Sequence, residues 1–226
     1  MERHRIAIVI PALNESATIC QVVEAVNLYG VPIVVDDGSR DDTAKLAKSA
    51  GAVVVSHEHN RGYDEALNTG FNKALELGSE LIITVDGDGQ HTPSLLQDFI
   101  DQIDAGADIV IGVRHKRQRF AEHLFAGFTM LCFGIKDPLC GMKAYRTEIY
   151  TALGHFDSYG SIGTELMMFA ALNGYRISQL KFVTRERTGQ SRFGQVLEGN
   201  YKICRALWRT LLRYLAYRIQ PKSKVL

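Results

Sequence analysis

Two carboxylates, Asp86 and Asp88 in Asp86-Gly87-Asp88-Gly89-Gln90, follow directly on the apolar run Leu81–Val85. On a tight, glycine-permitted turn, carboxylates at i and i+2 can converge on one cation. Hard oxygen ligands of this kind suit Mg²⁺ or Mn²⁺, which share their other positions with substrate phosphates. Taken alone, the segment is equally well a surface turn rich in Asp and Gly. Two further acidic turns shift the balance. Ile6–Ile10 runs into Pro11-Ala12-Leu13-Asn14-Glu15, and Pro32–Val35 runs into Asp36-Asp37-Gly38-Ser39. If these apolar runs are strands of one parallel sheet, the turns share a rim and repel one another unless a cation or donor groups compensate them. Each turn singly is ordinary turn or capping chemistry; their joint placement points to a site.

Several other chemistries lack their signatures. No G-x-G-x-x-G follows the first apolar run, and no G-x-x-x-x-G-K-[ST] occurs anywhere, so dinucleotide and P-loop binding lose their main support. Nor is there a G-x-S-x-G nucleophile elbow.

The elements that must position the acidic turns can be read from periodicity. After the first strand, Ile19, Val22, Val23 and Val26 form one helix face, closed near Gly30. Asp41, Asp42 and Thr43 open a second helix that ends at Gly51, and Ala52–Val55 is a third strand. Leu67, Gly70, Phe71, Ala74 and Leu75 mark a helix closed by Gly78, before the strand Leu81–Val85. Leu95, Leu96, Phe99, Ile100 and Ile103 form a further helix face, and Asp108–Gly112 a fifth strand. Repeating βα units imply a mainly parallel sheet with right-handed crossovers, which binds ligands beyond the carboxyl ends of its strands. After Arg114 the rhythm breaks. A basic stretch, a mixed helical segment and the turn-rich Asp137–Gly141 precede a helix at about 164–173, a strand at about 175–183 and a long terminal helix. With no linker or repeat, residues 1–226 read as a single α/β domain.

Length and composition agree: 226 residues can bury a real core, and a net charge of +1 gives no sign of a nucleic-acid partner. Cys20, Cys132, Cys140 and Cys204 are widely spaced, which favours free thiols over zinc or disulfides. No stretch reaches the roughly 18 uninterrupted apolar residues of a membrane span, and the amino terminus lacks a signal-peptide apolar region. The expected location is cytoplasmic, with peripheral contact at the membrane surface.

PALNE, VVDDGS, NRGYDEALNTG (Asn60–Gly70) and VDGDGQH together resemble family 2 glycosyltransferases of the GT-A fold. Within that family the chain is similar to dolichyl- and polyprenyl-phosphate sugar synthases, over nearly its whole length. The resemblance implies a Rossmann-like, mainly parallel sheet flanked by helices, with a nucleotide-sugar half (about 1–114), an acceptor half (about 115–194) and a terminal amphipathic helix (about 195–219). It implies a nucleoside-diphosphate-sugar donor, with Pro11, Leu13, Glu15, Val35 and Asp37 at the nucleoside. Asp86, Gly87 and Asp88 form the donor and metal turn, and Gln90 completes the shell of a Mg²⁺ or Mn²⁺ ion. Arg114 matches an arginine that contacts the phosphates or the metal site. The acceptor loop corresponds to Asp137–Lys143, and a later R-x-x-G-x-S-[KR] motif to Arg187–Arg192.

The chain departs from the family pattern on the acceptor side. HKRQRF (115–120) replaces a longer glycine-rich stretch, Asp137–Gly141 carries one extra residue, and the gap from Arg187 to Gly189 is one residue tighter, leaving Arg185 as an alternative to Arg187. The family inverts configuration, implying direct displacement at the anomeric carbon. A lipid phosphate acceptor is ionised near pH 7 and needs only cations, such as Arg185, Arg187 and Arg192, to position it. A sugar hydroxyl needs a base, for which Glu165 is the candidate, although an acid at a helix start is also explained by the macrodipole. His91 reads as structural. On the terminal helix Arg205, Arg209 and Arg213 recur on one face beside Leu207, Trp208, Leu211 and Leu215, a pattern that suits either anionic lipid or packing on the domain. The expected activity is hexose transfer to polyprenyl phosphate. The alternatives are transfer to a glycan hydroxyl, a nucleotidyltransferase, and a non-catalytic nucleotide-sugar-binding subunit.

Overall fold

A computed structural model describes residues 1–88, 94–117, 119–183 and 196–219. In chain order the main elements are β1 (Ile6–Ala12), α1 (Ile19–Val26), β2 (Val31–Asp36), α2 (Thr43–Ser49), β3 (Val53–Ser56), α3 (Tyr63–Glu76), β4 (Leu81–Thr84) and α4 (Leu95–Asp104). There follow β5 (Ile109–Arg114), α5 (Phe120–Phe133), β6 (Lys143–Arg146), α6 (Thr147–Leu153), α7 (Glu165–Leu172), β7 (Ile177–Phe182) and α8 (Val196–Ile219). The strands form one sheet in the order β3-β2-β1-β4-β6-β5-β7. Only β6 runs against the others among the described strands, pairing antiparallel with both β4 and β5.

Strand alternation divides the core into two layers. Ile6, Ile8 and Ile10 of β1 pack with α1 and α4, while Ala7 and Val9 pack on the other face with α3, α6 and α7. Helix α3 approaches β1 closely at Gly70, where a Cβ would lie 2.2 Å from Val9 Cγ1. Only glycine fits this contact. A third cluster joins Ala121 and Phe125 of α5 to Ile203 and Ala206 of α8, so the terminal helix is anchored on α5.

Pro11 lies within β1, one residue beyond the expected end of the strand at Ile10. It is tolerated there because β4 stops short. Val9 pairs with Thr84, the last residue of β4, and accepts a bond from the Val85 N–H. Pro11, two residues on, would direct an N–H to that same side, past the strand end. The larger difference from the sequence pattern is β6 with α6, in a stretch where periodicity indicated no strand. Residues 143–146 are four in number, begin with a lysine and end with an arginine, and bury Ala144 and Tyr145 on opposite faces. A run this short carries no readable alternation.

Candidate active site

The three acidic turns lie along one rim of the sheet and are bonded to each other. Asn14, in a left-handed conformation (φ 54°), donates its backbone N–H to Ser39 Oγ (2.9 Å) and accepts from the Arg40 N–H (2.8 Å). The Glu15 N–H bonds Thr43 Oγ1 at 2.9 Å, and Glu15 is buried. Thr18 Oγ1 donates to the Gly87 carbonyl at 2.7 Å, tying the turn after β1 to the turn after β4.

That second turn carries Asp86, half-buried, and Asp88, buried. Its position is set from β6. Thr84 Oγ1 donates to the Gly141 carbonyl at 2.6 Å and accepts from the Lys143 N–H at 3.1 Å. Gly141 is thereby pressed against the carboxylate, so that a Cβ on it would lie 2.1 Å from Asp86 Oδ2. Among the described residues no group of three His, Cys, Asp or Glu side chains is arranged to hold a metal. Two strand-end carboxylates are a donor set that Mg²⁺ or Mn²⁺ accepts when phosphates supply the remaining ligands. Gln90 and His91 lie outside the described residues.

A cavity of about 340 Å³ opens at the ends of β1 and β2, and Asp86, Gly87 and Asp88 are not among its lining residues. Pro11, Leu13 and Asp37, three of the five residues that the resemblance puts at the nucleoside, line it. Asp64 of α3 and Lys202 and Arg205 of α8 line it too. Val35 is fully buried in β2, paired with Pro11, and is not among the lining residues. Glu15 also stands outside the lining.

Asp37 is heavily engaged by the protein itself. Its Oδ1 lies 2.7 Å from His57 Nδ1 and accepts from the Arg61 N–H at 2.8 Å, while Oδ2 accepts from the Gly62 N–H at 2.8 Å. The other nitrogen of His57 reaches Thr69 Oγ1 at 2.9 Å. Asp37 thus shapes the loop that leads into α3.

Arg114 closes β5, and its guanidinium forms a two-pronged pair with Asp137 (2.8 and 2.9 Å) and a further bond to Glu122 (3.1 Å). Burial would depress this guanidinium, but the hydrogen bonds and charge of Asp137 more than offset it and raise the pKa. Such planar pairing fixes the side chain in place. The arginine expected at the phosphates therefore anchors the segment at Asp137. Glu165 opens α7 and is held from the preceding loop, by His155 Nε2 at 3.1 Å and by the Ser158 hydroxyl at 3.0 Å and backbone N–H. It lines a separate cavity of about 210 Å³ between α7 and α8. Arg185, Arg187 and Arg192 lie outside the described residues.

The terminal-helix arginines are solvent-exposed, and each also reaches a part of the domain. Arg205 lines the 340 Å³ cavity, Arg209 donates to the Tyr159 carbonyl at 2.7 Å, and the Arg213 guanidinium stacks over the Tyr159 ring, 5.4 Å from its centroid.

Sequence reasoning gave no role to Asp64, Lys143 or Asp157. Asp157 accepts backbone N–H bonds from Tyr159, Gly160, Ser161 and Gly163. Lys143, buried, donates to the Gly163 carbonyl at 2.8 Å, and burial lowers its pKa to about 8. Ile162, in the same loop, has φ 57°, a costly conformation for a β-branched residue. Asp64 stands in the quoted Asn60–Gly70 motif; its convergence with residues about 80 and 100 positions away has no local signature.

A doubly wound sheet with this rim defines a GT-A glycosyltransferase fold, and comparison with known proteins agrees. The chain superimposes on glucosyl-3-phosphoglycerate synthase from Mycobacterium tuberculosis, solved with Mn²⁺, uridine diphosphate and glucosyl-3-phosphoglycerate, with a TM-score of 0.76 and 25% identity over 96% of this chain and 81% of that one. The model of glycosyl transferase family 2 matches residues 7–154. Polyprenol monophosphomannose synthase of Mycolicibacterium smegmatis is 30% identical over 209 residues, covering 81% of this chain and 78% of the relative. The UDP-N-acetylglucosamine–dolichyl-phosphate N-acetylglucosaminyltransferase of Methanococcus voltae is 34% identical over 180 residues, covering 66% and 72%. The chain belongs to glycosyl transferase family 2 and is a glycosyltransferase.

Proposed function

We propose that the protein transfers a hexose from a nucleoside-diphosphate sugar to a polyprenyl or dolichyl phosphate, with inversion at the anomeric carbon. The observation that carries this reading is the cavity at the ends of β1 and β2, lined by Pro11, Leu13 and Asp37, on the rim where Thr18 ties the turn after β1 to Gly87. The names of relatives that act on dolichyl phosphate and make polyprenol monophosphomannose support the acceptor class. Asp86 and Asp88 would hold Mg²⁺ or Mn²⁺, which offsets the charge left on the departing diphosphate. Lys202 and Arg205, at the cavity, place positive charge where the donor's phosphates would enter.

The state of Glu165 favours a phosphate acceptor over a hydroxyl. Its oxygens are bonded to His155 and Ser158, and the cavity it lines is not the donor cavity. A base for a hydroxyl would need to reach that hydroxyl's proton, whereas an ionised phosphate needs none.

No helix among the described residues is long and apolar enough to cross a membrane. The joined surface of α5 and α8 instead exposes Phe120, Leu124, Leu131 (88%), Trp208 (61%), Leu212 and Leu215. We assign this surface to the membrane interface, where a lipid acceptor resides. The side chains named for this contact are apolar and aromatic. Incubation with UDP- and GDP-sugars, Mn²⁺ and a polyprenyl phosphate tests the reading: the expected product is a lipid-linked monosaccharide together with nucleoside diphosphate. Release of pyrophosphate, or transfer to sugar hydroxyls with none to the lipid, would overturn it.

A further inference from the structure

The basic stretch HKRQRF (115–120) follows β5, and its described residues line neither the donor cavity nor the cavity between α7 and α8. From His115 to Lys143 the acidic residues are Glu122 and Asp137, and both are buried. Arg114 bonds both of them. The basic side chains of the same stretch lie outward: His115, Lys116, His123 and Lys136 are exposed, and Arg117 is half-buried. The charge that this stretch shows to solvent is therefore of one sign.

Hydrogen bonds gather these cations onto one surface. Arg117 donates to the Lys136 carbonyl and lies 3.5 Å from His123 Nδ1, so the loop is laid against α5. The Lys136 N–H bonds Gln179 Oε1 at 2.8 Å, and Gln179 Nε2 donates to the Gly134 carbonyl at 2.9 Å, tying the turn after α5 to β7. Lys181, exposed, stands two residues along β7 from Gln179 and so on the same face. Beside the cations runs an exposed apolar stripe of α5. Phe120 (72%), Leu124 (47%) and Leu131 (88%) stand at i, i+4 and i+11, on one side of the helix, with His123 next to them.

We infer that residues 115–117 with Lys136 and Lys181 form a headgroup site selective for anionic phospholipid, beside which the α5 stripe enters the acyl boundary. This rests on the assignment of the α5–α8 surface to the membrane, and it adds the class of lipid and the edge of the sheet, at β5 and β7, that meets it. Charge alone would suit a nucleic acid or an acidic protein equally well. The apolar stripe decides between them. A phosphate backbone offers Phe120 and Leu131 nothing to bury against, whereas an anionic bilayer takes cations at its headgroups and apolar side chains just beneath.

Co-sedimentation with vesicles of phosphatidylcholine alone, and of phosphatidylcholine mixed with phosphatidylglycerol, tests the inference. The wild type should prefer the mixed vesicles and lose that preference as salt is raised. Each cation near an anionic surface contributes about fivefold to partitioning. Lys116→Gln combined with Lys136→Gln and Lys181→Gln should therefore weaken binding to the mixed vesicles about a hundredfold, with binding to phosphatidylcholine alone unchanged. The control is Lys45→Gln with Lys48→Gln and Lys73→Gln, which removes the same charge from α2 and α3, the helices packed on β1, β2 and β3. It should bind as the wild type does, and melting curves check that both variants fold. If the wild type binds neither vesicle, the membrane assignment falls and this inference with it. Equal binding to the two vesicles would leave that assignment standing and overturn the headgroup site, as would an equal loss in the two triple variants. Dimers that ignore both vesicles, or capture by double-stranded DNA in their place, would also overturn it.

Discussion

Replacing Gly141 with alanine probes the metal turn without touching a carboxylate. The added Cβ would lie 2.1 Å from Asp86 Oδ2, against the 3.5–4 Å or so of a comfortable non-bonded contact. Something must yield by more than about 1 Å. The Gly141 backbone is pinned by its bond from Thr84 and by the β4–β6 pairing that follows, so the Asp86 carboxylate is the group that must move. Metal–oxygen distances tolerate about 0.2 Å, and a misplacement of about 1 Å at a reacting centre costs roughly 10²-fold. That corresponds to about 2.7 kcal/mol of transition-state stabilisation. The expected outcome is a fall in kcat of that order, with a higher Mn²⁺ requirement and a nearly unchanged melting temperature. Gly70→Ala is the matching control. Its clash, 2.2 Å from Val9 Cγ1, lies in the closed core, where overpacking costs about 1–3 kcal/mol of stability. Two clashes of equal severity should thus separate, one into turnover and the other into melting. Wild-type kcat and Mn²⁺ response in Gly141→Ala would refute the placement of Asp86 on the metal.

Other outcomes follow from the same geometry. Asp88→Asn should abolish turnover with the fold intact by circular dichroism, and undiminished activity would remove Asp88 from the metal. Glu165→Gln should keep transfer to a phosphate acceptor within a few-fold of wild type, because the acceptor needs no base; a thousandfold loss would revive the hydroxyl-acceptor alternative. Asp64, raised from 3.8 to about 7 by burial and then by Asp157, stays protonated in the folded chain where the unfolded chain has released its proton. Its stabilising contribution is complete below about pH 4 and is lost as the pH rises towards 7, at up to about 1.4 kcal/mol per pH unit. Asp64→Asn should lack that slope, and chemical denaturation of both proteins between pH 4 and 8 gives the difference directly. Leu131→Glu with Trp208→Glu should lower flotation with liposomes while leaving nucleotide binding unchanged; equal flotation would move the lipid contact elsewhere.

The amino-terminal half was legible because its signals are local. A parallel strand buried on both faces must be an apolar run, and the turn at its end must break that run, so Ile6–Ile10, Pro32–Val35 and Leu81–Val85 announced both the strands and the rim. Of the residues singled out at that rim, Pro11, Leu13 and Asp37 line one cavity. What the sequence could not disclose is how a side chain's bonding capacity is spent. Asp37 and Arg114 have the right types at the right strand ends, yet one holds a loop and the other holds Asp137. The arginines of α8 recur at a spacing that fits lipid headgroups equally well, and the sequence does not show that Arg209 and Arg213 both meet Tyr159.

The segment from Asp137 to Lys143 shows why the second half resisted the same treatment. It is the approach to β6, the strand inserted between β4 and β5. Asp137 grips Arg114 at the end of β5, Gly141 abuts Asp86 at the end of β4, and Lys143 holds the loop around Asp64. Each contact depends on β6 lying between β4 and β5, and a four-residue strand announces neither its presence nor its neighbours. Once β6 is in place, a shift of the acceptor loop cannot leave the metal turn alone, because Thr84 bonds both Gly141 and Lys143. The Asp137–Lys143 segment is thereby linked to Asp86 through two hydrogen bonds and one glycine contact, and on the proposed reading this couples acceptor binding to the metal. A substitution at Asp137 should accordingly change the Mn²⁺ requirement as well as acceptor affinity, and Asp137→Asn, which keeps the shape and weakens the grip on Arg114, is the variant in which to measure both. Altered acceptor affinity with an unchanged Mn²⁺ requirement would break this chain at Gly141.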